Sequence, residues 1–292
     1  MPISMSMNSP LRYPGSKASL VDYISILLKE NYLEGCHFIE PYAGSAIVSL
    51  ELLKKSLISK ATILEKDPLV YAFWHSVFTN PYALIEKLYK LPINLDTWYK
   101  FQKYREAEKL ESYPILEMGL AGLFFNRTNF SGILKAGPIG GRKQESRYKL
   151  DCRLNKNRLI QQIADLSTLS NHITVIYDDA LDYLNRERKQ FKNEECFFYI
   201  DPPYYEKGKS LYRYWYNHDD HKKLAHFLTR CDTPWLVSYD NHENIRKIYR
   251  RANLVEVYFD YTVSQYRKER EILISNIKIP PGTKELFKDS LA

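Results

Sequence analysis

Along the first eighty positions, segments with apolar residues at helical spacing alternate with short continuous apolar runs. Leu20, Ile24 and Leu27 follow helical spacing, whereas residues 38–39 and 63–64 form short continuous runs that favour buried strands. We predict strands over residues 37–40 and 61–64, and helices over residues 17–31, 44–55 and from 68 onward. Because strands that alternate with helices need right-handed crossovers, this order predicts a parallel sheet.

The alternation stops near residue 80 and resumes near residue 155. Residues 81–125 have helical patterning throughout, and residues 126–150 are rich in glycine and basic residues, which predicts a loop or hairpin. Further strands are predicted over residues 173–176, 196–200, 235–238, 254–261 and 271–277, with helices from 155, 179, 219 and 241. We expect the last two strands to form an antiparallel pair at the sheet edge. The prediction is one α/β domain, residues 1–79 and 155–292, interrupted by an inserted domain, residues 80–154.

Four residues, Asp201-Pro202-Pro203-Tyr204, directly follow the apolar strand at 196–200. Two prolines cannot continue a central strand, so the chain must leave the sheet there. A carboxylate and an aromatic ring are thereby presented beyond a strand end, where ligands bind in open α/β sheets. A hydrogen-bond acceptor and a flat stacking surface suit the methylation of an amino group on a nucleobase.

Acidic residues also follow three other predicted strands. Glu40 precedes a turn of small residues around Gly44, where the backbone can approach a ligand closely. Glu65, with Asp67 as the second candidate, lies about twenty residues further on, where a carboxylate reaches ribose hydroxyls in nucleoside-binding folds. Asp179 follows the third of these strands and is also placed to cap the next helix. The turn lacks both G-x-G-x-x-G and G-K-[ST], which gives little support to an NAD or ATP site.

Positive charge is concentrated in one segment. The chain has a formal net charge of +7, and residues 126–158 hold nine Lys or Arg against two acidic residues, so the remainder of the chain sums to zero. A neutral body with one basic segment is typical of a protein that contacts a polyanion. A solvated, charge-rich loop is the alternative, but glycines and aromatic residues interleave the basic ones and favour the contact.

The remaining composition bounds the class of protein. With 292 residues, of which 45% are hydrophobic, the chain can build a large core. No apolar run approaches the roughly 18 residues of a membrane span, and the first ten residues lack an apolar signal core, so we expect a cytoplasmic protein. The cysteines form no C-x-x-C pair, and we expect reduced thiols and no metal site. They are Cys36, Cys152, Cys196 and Cys231.

Several segments together resemble a known family. Residues 12–17 (R-Y-P-G-S-K), 40–44 (E-P-Y-A-G) and 201–204 (D-P-P-Y) are similar to the three signature motifs of the Dam-like DNA adenine N6-methyltransferases, in that family's order. Residues 126–132 resemble the N-R-T-x-F-x-G segment that begins the family's target-recognition hairpin. Residues 235–241 resemble its later strand and turn. The resemblance therefore spans nearly the whole chain.

The resemblance implies a Rossmann-like methyltransferase fold with S-adenosylmethionine as methyl donor. Asp201 and the carbonyl of Pro202 would accept the two N–H bonds of the target adenine amine, Pro203 completes the motif, and Tyr204 would stack on the base. Glu65 would bind the ribose of the donor. The implied contacts with the donor are Tyr13, Lys17, Glu40, Pro41, Tyr42, Gly44, Glu65, Asp179 and Asp201.

This chain also departs from the family's motifs at several positions. Glu40 replaces a commoner aspartate, and Ala46 stands where many members have glycine, which bears on the geometry of the turn. Residues 134–147 do not match the Dam hairpin, so the Dam recognition sequence is not implied. Double-stranded DNA is the implied partner, a cognate restriction endonuclease is a further candidate, and we expect a monomer. The candidate DNA contacts are Arg127, Asn129, Lys135, Arg142, Lys143 and Arg147.

Three alternatives stay open at this point. Cytosine N4 in DNA would need the same chemistry, although cytosine N4 enzymes more often carry serine at the position of Asp201. Adenine in RNA is compatible with a basic insertion, which binds either polyanion. A catalytically silent DNA-binding protein on the same scaffold is disfavoured because Lys17 and residues 201–204 are intact.

Overall fold

A seven-stranded sheet forms the centre of the molecule. The computed structural model describes residues 9–12, 17–107, 109–192, 194–263 and 265–280. The strands are β1 His37–Pro41, β2 Lys60–Glu65, β3 Ile173–Tyr177, β4 Cys196–Ile200, β5 Trp235–Asp240, β6 Asn253–Val263 and β7 Gln265–Ser275. Their order is β3-β2-β1-β4-β5-β7-β6. β1 to β5 run parallel, and β7 runs antiparallel to both β5 and β6. The Rossmann-like α/β prediction and the antiparallel edge pair are confirmed.

Helices cover both faces of this sheet. They are α1 Val21–Glu30, α2 Ile47–Lys54, α3 Pro68–Thr79, α4 Pro81–Lys90, α5 Leu95–Arg105, α6 Ile115–Thr128, α7 Lys156–Ser167, α8 Ala180–Arg186, α9 Arg188–Phe191, α10 Gly208–Leu211, α11 His218–Leu228 and α12 Glu243–Ile248. A 3-10 turn, Ala18–Leu20, precedes α1, so the predicted helix over 17–31 is divided in two. None of the described helices is both long and apolar enough to cross a bilayer.

The central strands are buried on both faces, which explains their continuous apolar runs. In β4, Phe197 and Tyr199 pack into one hydrophobic cluster with α1 to α7, whereas Phe198 and Ile200 pack into a second cluster with α8, α9, α11 and α12. Successive side chains of a strand point to opposite faces, so an uninterrupted run of apolar residues satisfies two cores at once.

The helices of the inserted segment share the first of these clusters. Apolar residues of α4, α5 and α6 are buried in one continuous cluster with the sheet. α6 packs closely against α3, because a Cβ atom on Gly119 would lie 2.6 Å from the carbonyl oxygen of Ala72, and one on Gly122 would lie 2.6 Å from that of Leu69. The division of the chain into two domains at residues 80–154 stays a prediction.

The strand order creates a switch point between β1 and β4. From β1 the chain proceeds outward through β2 and β3, and it then returns to β4 on the other side of β1. In open α/β sheets a crevice opens at such a point, outside the carboxyl ends of the strands.

Candidate active site

A cavity opens at the switch point, in the crevice where ligands bind in open α/β sheets. Side chains from the ends of β1, β2 and β4 and from the start of α8 line it, together with Tyr212, Arg213, Tyr214 and Tyr216. The acidic residues in the lining are Glu40, Glu65, Asp67, Asp178, Asp179 and Asp201. The acidic strand ends that the sequence predicted to be functional are therefore gathered in one place.

Glu40 is buried at the end of β1 and is oriented by α2. Its Oε2 accepts a hydrogen bond from the backbone N–H of Ser49 over 3.0 Å and a second from the Ser49 hydroxyl. Burial raises the pKa of Glu40 to about 7, because desolvation outweighs these hydrogen bonds. The carboxyl group thus has a fixed orientation. A positively charged or hydroxyl-bearing ligand would favour its ionised form.

Glu65 joins the end of β2 to the turn that follows β1. Its Oε1 accepts a hydrogen bond from the Gly44 N–H, and the Gly44 carbonyl accepts one from Trp74 Nε1 over 2.9 Å. Burial raises the pKa of Glu65 to about 8. The turn itself is left-handed at three places, with φ of 64° at Tyr42, 50° at Gly44 and 50° at Ala46. Ala46 thus adopts a conformation that glycine adopts more readily, at the position where many family members have glycine.

Asp67 and Asp179 each begin a helix at the rim of the cavity. Asp67 caps α3 by accepting from Leu69 N over 2.9 Å, and Arg213 Nη1 lies 3.3 Å from the same carboxylate. Asp179 caps α8 by accepting from Leu181 N over 2.9 Å. Capping explains why acidic residues stand at these two positions, and it leaves both carboxylates in the wall of the cavity.

Asp201 lines the cavity immediately after β4. Its Oδ1 accepts a hydrogen bond from Ser238 Oγ over 2.7 Å and lies 3.0 Å from Lys17 Nζ. Lys17 is almost fully buried and also lies 3.5 Å from Glu271 Oε1. These four residues come from the segment before α1, from β5, from β7 and from the turn after β4, so the network exists only in the folded chain.

Tyr204 is part of the same network. Its hydroxyl donates to Glu271 Oε1 over 2.8 Å and accepts from Lys17 Nζ over 3.2 Å, and Lys17 Nζ lies 5.0 Å from the centre of its ring. Pro202 is buried and Pro203 lines the cavity. The turn after β4 therefore has both its carboxylate and its aromatic ring fixed by the same lysine.

Comparison with known proteins places this geometry in a family. The sequence matches the family model of the D12 class N6 adenine-specific DNA methyltransferases over residues 13–263. The chain belongs to this family. The methyltransferase therefore uses S-adenosylmethionine as its methyl donor and DNA as its substrate, and the family prediction from the motifs is confirmed. A search of curated proteins finds no significant match.

Solved structures similar to the methyltransferase share little sequence with it. One is a candidate RNA methyltransferase from Pyrococcus horikoshii, with 9% identity and a TM-score of 0.42 over 94% of this chain and 90% of that chain. Another is precorrin 8w decarboxylase from Methanobacterium thermoautotrophicum, with 8% identity and a TM-score of 0.34 over 86% of this chain and 88% of that chain. A third, a candidate methyltransferase complexed with SAH, has 9% identity and a TM-score of 0.36 over 86% of this chain and 48% of that chain.

The cavity of the methyltransferase fits its methyl donor by the chemistry of its lining. Glu40 and Glu65 place carboxyl oxygens in its lining, and such oxygens can bind ammonium and hydroxyl groups like those of the donor. Ile47 and Leu64 add apolar surface to the lining. Of the other predicted donor contacts, Lys17, Tyr42 and Asp179 also line the cavity, whereas Tyr13 lies outside the described residues. Pro41 is buried at the end of β1.

The predicted DNA contacts of the methyltransferase divide into two kinds. Arg142, Lys143 and Arg147 are exposed on the basic segment, as contact with DNA requires. Lys135 is also exposed, but its ammonium donates to the carbonyls of Lys209 over 2.7 Å and Tyr212 over 3.0 Å, so it braces the segment after residue 204.

Asn129 and Arg127 have structural contacts that the prediction did not foresee. Asn129 is fully buried, its Oδ1 accepts from Trp98 Nε1 over 2.8 Å, and its amide donates to the carbonyls of Ile133 and Leu134. These contacts give Asn129 a structural role, and its contact with DNA stays a prediction. Arg127 is half-buried, and its Nε donates to the Pro10 carbonyl over 2.6 Å.

Sequence reasoning missed three polar residues of the methyltransferase site. Ser49 and Ser238 orient the two carboxylates Glu40 and Asp201, and Glu271 holds Lys17 and Tyr204. The available signal was a polar residue inside an apolar element: Glu271 directly precedes the buried run 272–274, where an ionisable side chain needs a partner.

Proposed function

We propose that this enzyme methylates the N6 amino group of an adenine that has turned out of double-stranded DNA, and that Asp201 is the acceptor that activates the amine. The observation that carries this proposal is the Asp201 carboxylate. It lies at the switch point of the sheet, in the lining of an acidic cavity, and two donors orient it.

The chemical demand on Asp201 follows from the nature of the amine. An adenine amino nitrogen is a poor nucleophile because its lone pair is delocalised into the ring. Lys17 and Ser238 both bind Oδ1 of Asp201, so we assign Oδ2 to one N–H of the amine and the Pro202 carbonyl to the other. Two acceptors on the two N–H bonds favour a pyramidal nitrogen with its lone pair free to react.

Methyl transfer then needs little further chemistry from the protein. S-adenosylmethionine supplies an electrophilic methyl group on its sulfonium sulfur. The N6–C bond forms as the S–C bond breaks, and one N6 proton passes to Asp201 and then to water. Asp201 does not need to be a strong base, because the amine becomes very acidic once it is alkylated. Positioning and preorganised charge account for most of the rate gain.

Lys17 has two roles in this proposal. It compensates the charge of Asp201 within a buried network that also contains Glu271, and its contact with the Tyr204 hydroxyl fixes the ring that stacks on the extruded base. Glu40 holds the ammonium of the donor, Glu65 its ribose hydroxyls and Asp179 its adenine amine. These assignments follow from the family resemblance, and the lining of one cavity by all three carboxylates supports them.

Residues 80–154 act in this proposal as the target-recognition region, with Arg142, Lys143 and Arg147 on DNA phosphates. Extrusion of the base costs a few kcal/mol, which these contacts and stacking on Tyr204 offset. We further propose a cytoplasmic monomer acting on genomic DNA, with a cognate restriction endonuclease as a candidate partner. Light scattering with and without duplex DNA tests the oligomeric state.

Base extrusion and the role of Asp201 can be tested together. A duplex carries 2-aminopurine, which fluoresces when it is unstacked, at the methylated position. We expect the Asp201→Ala variant to bind this duplex and raise its fluorescence while it transfers no methyl group to the corresponding adenine duplex. Methylation by the variant at the wild-type rate would contradict the proposed role of Asp201, and binding of the wild-type enzyme without a fluorescence change would contradict extrusion.

A further inference from the structure

A second cavity lies where residues 9–12 meet the basic segment and the start of α7. Four arginines line it: Arg12, Arg127, Arg153 and Arg158. Among the described residues, no carboxylate lines it. Four positive groups around one space repel each other unless a negative group lies between them. This arginine pocket is therefore built for an anion.

Two of the four arginines are held in place by other contacts. The backbone N–H of Arg12 donates to Asn126 Oδ1 over 2.7 Å, and its carbonyl accepts from Asn126 Nδ2 over 2.6 Å. Arg127 Nε donates to the Pro10 carbonyl. Within the described part of the chain, Arg12 Nη1 is buried and has no hydrogen-bond partner. A buried donor without a partner costs free energy, which an oxygen of a bound anion would offset.

The electrostatics of the pocket agree with its geometry. Burial, followed by the charges of Arg12 and Arg158, lowers the pKa of Arg127 to about 10, and burial together with Arg153 lowers the pKa of Arg12. The guanidinium groups thus lie close enough to oppose each other's charge. Asn155, the N-cap of the twelve-residue helix α7, also lines the pocket, so the positive end of that helix points to the same space.

We infer that the arginine pocket binds a backbone phosphate of the DNA substrate, next to the target adenine but outside its base pair. Planar guanidinium groups bind phosphate oxygens through paired hydrogen bonds. A DNA duplex is too wide to enter a deep cavity, but Arg153 and Arg158 are exposed and can contact it at the surface. The inference rests on the proposed placement of DNA on the basic segment and adds Arg12, Arg153 and Arg158 to its contacts.

The pocket and the active site are close along the chain. Arg12 precedes Lys17 of the active site by five residues, and five residues span at most about 18 Å. The bases of B-DNA rise by about 3.4 Å each along one strand. The Cα atoms of Arg12 and Lys17 therefore lie no more than about 18 Å apart, about the rise of five base pairs, so one duplex can reach both the pocket and the active site.

The test uses the full-length protein and the double variant Arg153→Gln/Arg158→Gln. Both side chains are exposed, so the exchange should leave folding and S-adenosylmethionine affinity unchanged. The Kd for a short duplex is measured as a function of salt concentration. We expect a rise in Kd of at least about tenfold near 100 mM salt, and a fall of about 1 in the magnitude of the slope of log Kd against log salt, because the loss of one phosphate contact removes about 0.9 from that slope.

The matched control is Arg250→Gln/Arg251→Gln. These arginines are also exposed, and they precede β6, whose first residue pairs with Ser275 next to the start of β5, at the end of the sheet opposite the active site. The control loses the same charge and should keep the wild-type slope. Equal slopes for all three proteins would overturn the inference, as would an equal reduction in both variants.

A titration with inorganic phosphate separates the two sources of a phosphate group. Calorimetric binding of phosphate that is lost in Arg153→Gln/Arg158→Gln, together with an unchanged DNA slope, would assign the pocket to a free phosphate and overturn the DNA assignment. A wild-type protein that methylates no duplex DNA would contradict the proposed function instead, so the two failures are distinguishable.

Discussion

Glu40 and Asp201 are each oriented by one serine hydroxyl, from different walls of the same cavity. Ser49 binds Glu40, and Ser238 binds Asp201 over 2.7 Å. Both serines are fully buried. The Ser49–Glu40 and Ser238–Asp201 pairs can therefore be compared directly, one assigned to the methyl donor and the other to the target base.

Alanine at each serine should therefore affect a different kinetic constant. A hydrogen bond to a charged group contributes about 1.5–3 kcal/mol, which corresponds to about 10- to 100-fold. We expect Ser238→Ala to lower kcat by about that factor with little change in the KM for S-adenosylmethionine, and Ser49→Ala to raise that KM with a smaller effect on kcat. Steady-state kinetics measure both, and the opposite pattern would exchange the two carboxylate assignments.

At the scale of elements, the contact between α3 and α6 joins the cavity to the recognition segment. α3 begins at Asp67 in the cavity wall, and α6 ends just before Asn129, where the basic segment begins. The two helices can approach because α6 presents glycine to the carbonyls of Leu69 and Ala72. A larger residue at this contact must push the helices apart.

Gly119→Ala should therefore destabilise the protein. The added Cβ would lie 2.6 Å from backbone, and overpacking of this kind costs about 1–3 kcal/mol. Gly137→Ala is the control, because a Cβ there meets no atom within 4 Å. Urea unfolding measures both variants, and equal midpoints would show that the helix contact is not tight.

The turn after β4 is tied to the end of β5 by Asp240. Its carboxylate accepts from the backbone N–H of Tyr205 over 2.9 Å and of Glu206 over 3.2 Å, directly after the catalytic turn. Asp240→Ala should loosen this turn and lower kcat by about tenfold or more, since hydrogen bonds to a charged acceptor are lost. Asp240→Asn keeps one acceptor oxygen, so its kcat should lie between those of the wild type and Asp240→Ala. Wild-type kcat in Asp240→Ala would exclude this anchoring role.

For the whole molecule, the buried carboxyls predict an unusual dependence of stability on pH. Burial raises the pKa of Glu40 to about 7 and of Glu65 to about 8, so the folded protein holds protons that the unfolded chain releases near 4.5. The contribution of these two carboxyls to the free energy of unfolding should fall as pH rises from about 4.5 to 8, because at these two sites the folded state binds more protons than the unfolded chain. This is the reverse of the behaviour of carboxylates that are paired with cations.

Glu65→Gln measures this contribution, since the amide imitates the protonated carboxyl. We expect urea midpoints of the variant and the wild type to agree near pH 5 and the variant to be more stable near pH 8.5. The difference should be on the order of a few kcal/mol, at about 1.4 kcal/mol for each unit of pKa shift. Parallel pH profiles would mean that Glu65 is ionised in the folded protein.

The fold and the strand-end carboxylates could be predicted because their signals are local. Glu40, Glu65 and Asp201 each directly follow a short apolar run, and a proline lies within three residues after each of them. This pattern can be seen without knowledge of the partner strands. Ser238 and Glu271 reach Asp201 and Lys17 only because β5 and β7 are neighbours. No local sequence pattern shows that β5 and β7 are neighbours. The contacts that orient Asp201 and Lys17 therefore could not be predicted.

Surface position was harder to predict than strand position. Asn129 lies in the segment that resembles the start of the family's target-recognition hairpin, but the indole of Trp98, thirty-one residues earlier, donates to its side chain. A buried amide with its hydrogen bonds satisfied stabilises the start of the basic segment. The burial of Asn129 could not be predicted because its partner is distant in the sequence.

Methyl transfer from S-adenosylmethionine to unmethylated duplex DNA of mixed sequence, followed by mass spectrometry of the nucleosides, tests both the reaction and the role of Asp201. We expect N6-methyladenine with the wild-type enzyme and none with Asp201→Ala, and mapping of the modified positions identifies the recognition sequence. N4-methylcytosine as the product, or N6-methyladenine at the wild-type rate from Asp201→Ala, would contradict this expectation.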